Sequence, residues 1–415
     1  MRLQLDKPKE QLHACISLPG SKSISNRVLM IRALSGLAFE LSNCSDSDDT
    51  LHLQKALQLI TEKNSGVIDI GHAGTDMRFL TAYLATREGS YELTGSDRMK
   101  KRPVKELVEV LKHLGADISY KDQEGYPPLL IRGKTLQGGR AKIKGNISSQ
   151  FITALLLIAP YLENGLELMI EGEVVSKPYI EMTVQTMQAF GAGVVWKENV
   201  ISVKPVAYTY AATTYAIEGD WSAASYFYSL VALSPLHTRF ILKGLFKESL
   251  QADAVCAGIY ESFGVETQFE NGEVWITKAA VAQTELLAYD FIHCPDIAQT
   301  VACSCVALQR AFCFTGLQTL KVKETDRIVA LKQELEKFGV KVSATDATLG
   351  SEAACLAKDA MIRVATYNDH RMAMSFAPLA LITGSLQVDD AEVVSKSYPQ
   401  FWSDLEKTGM TIRTV

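Results

Sequence analysis

The sequence predicts an α/β protein made of six copies of one unit, and three observations carry that prediction. Runs that begin polar and turn apolar start at Thr75, Ser149, Ser222, Asp296 and His370, spaced 73 or 74 residues apart, and a related start, Ser25, lies 50 residues before the first. Amphipathic helices follow at 104–114, 180–190, 254–263 and 328–338, each stopped by a glycine (Gly115, Gly191, Gly264, Gly339) suited to a left-handed cap. Alternating segments such as 116–120 with 129–132, and 194–196 with 200–203, then read as hairpins. One unit is therefore strand, apolar helix, strand, amphipathic helix, hairpin.

The apolar helices, such as SQFITALLLIA from Ser149, have no polar face and are expected at the centre, with the amphipathic helices outside. The first copy is short, and Asn64-Ser65-Gly66 stands where its hairpin is expected. Six copies exceed the roughly 250–300 residues that one core sustains, so two domains of three copies are expected. Repeat phase puts the mid-chain crossing near Ile217-Glu218-Gly219-Asp220.

Composition narrows the function. The chain has 415 residues, 47% hydrophobic and 21% charged, with a net charge of −5. That balance argues against nucleic acid, so any anion must be held by local geometry. The opening MRLQLDKPKE has no apolar signal core and no run is long enough to span a membrane, which predicts a cytoplasmic protein. The eight scattered cysteines read as buried, reduced thiols rather than metal ligands or disulfides.

Helix N-termini attract anions, and six of them recur here. The densest polar start is Leu18-Pro19-Gly20-Ser21-Lys22-Ser23-Ile24-Ser25-Asn26-Arg27. It is not a phosphate loop of the G-x-x-x-x-G-K type, because the two glycines would fall at Ile16 and Ser21. Lys323 and Arg327 are four apart at the start of an amphipathic helix and are expected to share a face. Arg371, Arg98 and Lys396 lie in further polar clusters. A cation at a helix start opposes the dipole, and a bound anion would resolve that conflict. Ser148-Ser149-Gln150 adds hydroxyls and an amide, and Gly74-Thr75 permits close backbone approach. Each cluster taken alone also fits a helix cap, and Glu324 among its cations also fits a surface ion pair.

At these residues the chain resembles the 5-enolpyruvylshikimate-3-phosphate synthase family of enolpyruvyl transferases. The motifs are LPGSKSISNR (18–27), AGTDMR (73–78), SDRMKKRP (96–103), SSQF (148–151), SKPYIEMT (176–183), KETDR (323–327), NDHRMAM (368–374) and SKSYPQF (395–401). The sister family that uses a UDP-sugar acceptor lacks the SKSxSNR and KETDR combination and relies on a loop cysteine absent here. The resemblance implies two similar domains, each of three βαβαββ repeats around buried near-parallel helices, an inside-out α/β barrel. It places them at 15–218 and at 1–14 plus 219–415, with substrates in the cleft between them and domain closure on binding.

The implied reaction moves the enolpyruvyl group of phosphoenolpyruvate to the 5-hydroxyl of shikimate 3-phosphate and releases phosphate. The implied enzyme is a monomer with no metal, organic cofactor, nucleic acid or membrane partner. By motif position, Lys22, Ser23, Arg27, Ser148, Ser149, Ser176, Asp296, Thr319 and Lys323 hold shikimate 3-phosphate. Lys22, Gly74, Arg98, Gln150, Arg327, Arg371 and Lys396 hold phosphoenolpyruvate. Glu324 is the expected acid at the methylene carbon, Asp296 the expected base at the hydroxyl, and Lys22 stabilises charge. His72, Phe79 and Thr319 depart from the family's Asn, Pro and Asn. Another enolpyruvyl transferase with a different acceptor, and a non-catalytic repeat scaffold, are the competing readings.

Overall fold

In the computed structural model, which describes all residues except Lys9, Ile147, Val175 and 354–360 (and the side chain of Val322), the six repeats are present. Ahead of them stands β1 (Leu3–Asp6). The first repeat is β2 (His13–Ser17), α1 (Lys22–Ser35), β3 (Glu40–Ser42) and α2 (Asp48–Glu62). The second is β4 (Ser65–Asp69), α3 (Gly74–Thr86), β5 (Gly89–Thr94), α4 (Lys105–His113), β6 (Asp117–Tyr120) and β7 (Leu129–Gly133). The third is β8 (Gly139–Lys144), α5 (Ser149–Ile158), β9 (Leu166–Glu171), α6 (Lys177–Ala189), β10 (Val194–Lys197) and β11 (Val200–Val203).

The fourth repeat is β12 (Thr214–Ala216), α7 (Trp221–Ala232), β13 (Arg239–Lys243), α8 (Cys256–Glu261), β14 (Val265–Glu270) and β15 (Glu273–Lys278). The fifth is β16 (Leu287–Asp290), α9 (Ala298–Ala307), β17 (Phe312–Thr315), α10 (Arg327–Glu336), β18 (Val342–Ala344) and β19 (Leu349–Ser351). The sixth is β20 (Ile362–Val364), α11 (His370–Phe376), the short α12 (Ala380–Thr383), β21 (Ser385–Val388), α13 (Phe401–Lys407) and β22 (Thr411–Thr414).

The complete repeats share one sheet plan. The first two strands run parallel and the hairpin is added antiparallel, as in the order β4-β5-β7-β6 and its counterparts β8-β9-β11-β10 and β16-β17-β19-β18. The sixth repeat lacks one hairpin strand, and β1 supplies it by pairing with both β21 and β22. The first and fourth repeats exchange leading strands. Strand β2 pairs parallel with β13, while β12 pairs parallel with β3.

This exchange sets the division of the chain into two compact units, Ser21–Ile217 and Met1–Gly20 with Glu218–Val415. The first boundary therefore falls after Gly20 rather than after residue 14, because β2 belongs to the sheet of β13. Glu218 also leaves the first unit. Its carboxylate accepts from Trp221, Phe246, Ser249 and Gln251, all in the other unit.

The apolar helices are central, as their composition requires. All twelve residues of α7 are buried and so are nine of the ten in α5, whereas α4 buries four of nine. Repeat-equivalent side chains meet across the core at the period of the sequence. Ser225 donates to Thr300, Thr300 pairs with Ser375, and Ser229 pairs with Ser304, each 75 residues apart. Each such buried bond contributes about 1 kcal/mol and, because its partners are single hydroxyls, fixes helix register. Gly115, Gly191, Gly264 and Gly339 all have positive φ, so each glycine stop is a left-handed turn that a side chain would strain.

The first repeat is truncated as expected: the chain passes from α2 through Asn64 straight into β4, with no hairpin between. Two expectations need correction. Lys323 lies in the turn before α10, which begins at Arg327, so the two cations do not share a helix face. Cys15 and Cys313 are exposed and Cys44 is half-buried; Cys256, Cys294, Cys303 and Cys305 are the buried thiols, and Cys355 lies outside the described residues. Among the described residues no cluster could hold a metal ion, and no helix is long and apolar enough to cross a membrane.

Candidate active site

In the unit that ends the chain, four cations and three carboxylates form one network built on Arg327. Its Nε bonds Asp369 Oδ2 at 2.6 Å, its Nη1 bonds Asp296 Oδ1 at 3.0 Å and its Nη2 bonds Glu324 Oε2 at 2.7 Å. Asp296 also faces Arg371 at 3.1 Å and Lys323 at 3.6 Å, and Glu324 meets Lys396 at 2.9 Å. Burial opposes the Arg327 charge, but Asp369, Glu324 and Asp296 outweigh it and hold the guanidinium protonated. Arg371 is held charged in the same way, chiefly by Asp296.

The network is graded from base to mouth. Asp369 and Arg327 are sealed, with side-chain exposures of 0% and 2%, while Glu324 and Lys396 keep 18% each and Lys323 keeps 32%. Arg327, expected to hold phosphoenolpyruvate, is buried against three carboxylates and is the post on which Asp296 and Glu324 are fixed. The conflict between cations and helix dipoles is met by the chain's own carboxylates, since Asp326 caps α10 and Asp369 caps α11.

Ser222, a repeat start with no expected contact, donates to the buried Asp253. Burial, and then the nearby Asp296, push the Asp253 carboxyl up to about 7. The folded value lies above the ordinary one, so the native state retains a proton that the unfolded chain releases. Stability from this group is intact below about pH 4 and is lost as pH rises through 7. Asp253→Asn is expected to remove on the order of 3 kcal/mol from that decline in urea titrations at pH 5 and pH 8. A decline equal to wild type would show that Asp253 ionises freely. Asp76 and Glu218, also shifted upward by burial, retain the remainder of the slope. Tyr226 accepts from Arg371 at 3.4 Å. Thr319 lies in the turn 318–322, and its hydroxyl has no hydrogen-bond partner.

In the other unit, Lys22 begins α1 and bonds Asp49 of α2 at 2.9 Å. Arg27, one turn on, is 3% exposed and gives its donors to Thr183, Thr153, Ser23 O and Tyr179 O. No carboxylate is among those partners, and burial lowers the guanidinium to about 10. Arg27 thus ties α1, α5 and α6 together, and the hydroxyls of that cluster come with it. Ser148 caps α5 through the Gln150 N–H, and Ser149 and Ser176 are nearly buried, Ser176 with positive φ at the start of α6. Gln150 donates to Thr75 at 3.0 Å.

Gly74 lies between two arginines. Arg78 donates to its carbonyl at 3.0 Å, and a Cβ at Gly74 would come within 2.3 Å of Arg102 Nη1. The cation beside Gly74 is Arg102, which lies in the same SDRMKKRP motif as Arg98. Phe79 is 1% exposed, with the Arg27 guanidinium 5.9 Å from its ring centre, and His72 bonds Ser96 at the surface. Asp49, Asp76, Arg102, Asp253 and Asp369 were all missed as partners. Asp76, Arg102 and Asp369 lie inside recognised motifs, whereas Asp49 and Asp253 lie far from any of them and carried no signal.

Known proteins resemble this chain along its whole length. The family model for EPSP synthase (3-phosphoshikimate 1-carboxyvinyltransferase) matches residues 7–65 and 57–405. A 3-phosphoshikimate 1-carboxyvinyltransferase of Bacteroides fragilis is 47% identical over 415 residues, covering 100% of this chain and 99% of the relative. One from Haemophilus influenzae is 38% identical, covering 96% of this chain and 97% of the relative. The solved EPSP synthase from Acinetobacter baumannii superposes with a TM-score of 0.80 at 20% identity over the whole of both chains, a likeness of fold. On these matches, the chain belongs to the EPSP synthase family.

Proposed function

We propose that the chain carries out the reaction for which its family is named, transferring the enolpyruvyl group of phosphoenolpyruvate to the 5-hydroxyl of shikimate 3-phosphate with release of phosphate. The observation that carries this reading is the pair Asp296 and Glu324, held at fixed positions by one buried guanidinium and each shared with at least one more exposed cation.

The reaction needs one proton placed on the methylene carbon and one taken from the attacking hydroxyl, so two separately held carboxyl groups suit it. Glu324 takes the first task and Asp296 the second. Lys323, Arg371 and Lys396 are the cations open to substrate anions. Binding of phosphate and carboxylate groups there draws those cations away from Asp296 and Glu324 and leaves both carboxyl groups facing the substrates. In the Ser21–Ile217 unit, Lys22, Ser23, Arg27, Ser148, Ser149 and Ser176 form the acceptor-side set. Gly74, Arg98 and Gln150, with Arg102 against Gly74, form the donor-side set.

Phosphate release from phosphoenolpyruvate, measured with shikimate 3-phosphate and separately with a UDP-sugar as acceptor, tests the reading. Release only with the former supports it. Release only with the latter moves the chain to the sister reaction, and no release with either returns it to a scaffold.

Gly74→Ala is expected to displace only the tip of Arg102, because φ at Gly74 is ordinary and the clash is with a flexible guanidinium. Stability should change by less than about 1 kcal/mol. KM for phosphoenolpyruvate should rise about tenfold, the loss of one charge-assisted hydrogen bond. An unchanged KM would remove Gly74 and Arg102 from the donor side.

A further inference from the structure

Asp76 lies in the first turn of α3 and is 0% exposed. Its Oδ1 accepts from Asn26 Nδ2 at 3.0 Å, and its Oδ2 is buried with no hydrogen-bond partner. Asn26 is held in turn by Thr50, whose hydroxyl donates to Asn26 Oδ1 at 2.7 Å, and Thr50 adjoins Asp49 on α2. Asp49 is the carboxylate that bonds Lys22. A chain of short side chains thus links a sealed carboxyl to the ion pair at the start of α1.

A sealed carboxylate with one amide donor is costly in its charged form. The start of α3 favours an anion by about 1 kcal/mol, too little to offset that burial. Burial and then Asp49 push the Asp76 carboxyl well above its ordinary range, and Lys22 and the Asn26 amide pull only partly the other way. Of the helices packed on α3, α1 turns Lys22 toward it and α2 turns Asp49. Helix α5 carries no titratable side chain, and no charge from α4 contributes to the shift.

We propose that Asp76 is kept as the neutral acid and acts as a positioning residue for Lys22, holding the Asp49–Asp76 pair at one negative charge so that the ammonium can turn from Asp49 to a substrate anion. When Lys22 leaves, two buried carboxylates would repel each other unless one keeps its proton. With Asp76 neutral, only Asp49 is left uncompensated and the move is cheap. With Asp76 ionised, the pair grips Lys22 and substrate binding weakens. This rests on the reading of Lys22 as a substrate-binding residue.

Two measurements on the full chain test the proposal. Infrared spectra at pH 7 should show protonated-carboxyl carbonyl absorption, to which Asp253 also contributes, and its intensity should fall in Asp76→Asn and in Asp76→Ala; the alanine variant serves if the amide does not fold. Wild type with no such band at pH 7, or a band unchanged in the variant, overturns the proposal. The second measurement is KM for phosphoenolpyruvate against pH. In wild type it should climb, toward about tenfold per pH unit above the ionisation of Asp76, the limit for one proton. In Asp76→Asn that climb should be absent, leaving only the one from Lys22 itself. Superimposable profiles overturn the coupling to Lys22 even where the band is present. Phosphate release by wild type, measured first, separates failure of the functional reading from failure of this one.

Discussion

Glu324→Gln is expected to lower kcat about a thousandfold while KM for both substrates stays within about threefold. A general acid contributes on the order of 10²–10⁴ to rate, and the amide cannot deliver its proton. The geometry argues for a catalytic rather than a binding role. Glu324 is anchored by Arg327 at 2.7 Å and by Lys396 at 2.9 Å, so its own two oxygens are occupied by protein cations and are poor candidates to grip an anionic substrate. Glutamine keeps the shape and an acceptor for the buried Arg327, while its NH2 group releases the more exposed Lys396 to the substrate. Steady-state kinetics with each substrate varied in turn decides the matter. Equal losses in kcat and in binding would demote Glu324 to a residue that merely organises Lys396.

Asp369→Asn carries the largest expected cost in stability, about 3 kcal/mol in urea unfolding at neutral pH. Asp369 is sealed at 0% exposure, bonds Arg327 through both oxygens and caps the Arg371 N–H at 2.8 Å. Asparagine retains the cap but removes the charge, and breaking a buried pair by neutralising one partner costs about 3–5 kcal/mol. The lower end applies because Asp296 and Glu324 still face the guanidinium. Released from Asp369, Arg327 shifts toward those two, so kcat should also fall. A loss under about 1 kcal/mol would mean that Asp296 and Glu324 suffice to hold Arg327, and that its burial does not depend on Asp369.

The active-site side chains differ in how legible they were. Lys323 and Arg371 stood out because a cation at a helix start is locally unfavourable, and Lys22, Glu324 and Lys396 through their motifs; the structure pairs each of them with a group of opposite charge. Asp369 and Asp253 were not legible as partners. A carboxylate before a helix reads as a cap, and Asp369 is indeed a cap as well as the ligand of Arg327. Arg102 against Gly74 was hidden for a similar reason. Four basic residues fall within Arg98–Arg102, and only the turn at Met99–Lys101 decides which of them reaches the glycine.

By itself the sequence determined the repeat, the kind and order of the elements, which helices are central, and the family. The family is carried by the motifs; the rest follows from local alternation and from the repeat period. Tertiary structure alone decided the exchange of β2 and β12, the use of β1 to complete the last sheet, and the pairing of each carboxylate with its cation. Those outcomes depend on strand edges and charges brought together from distant positions. Glu324 meets Lys396 and Asp296 meets Arg371 only because successive repeats close around a common core, which turns one repeat period of chain into a single hydrogen bond.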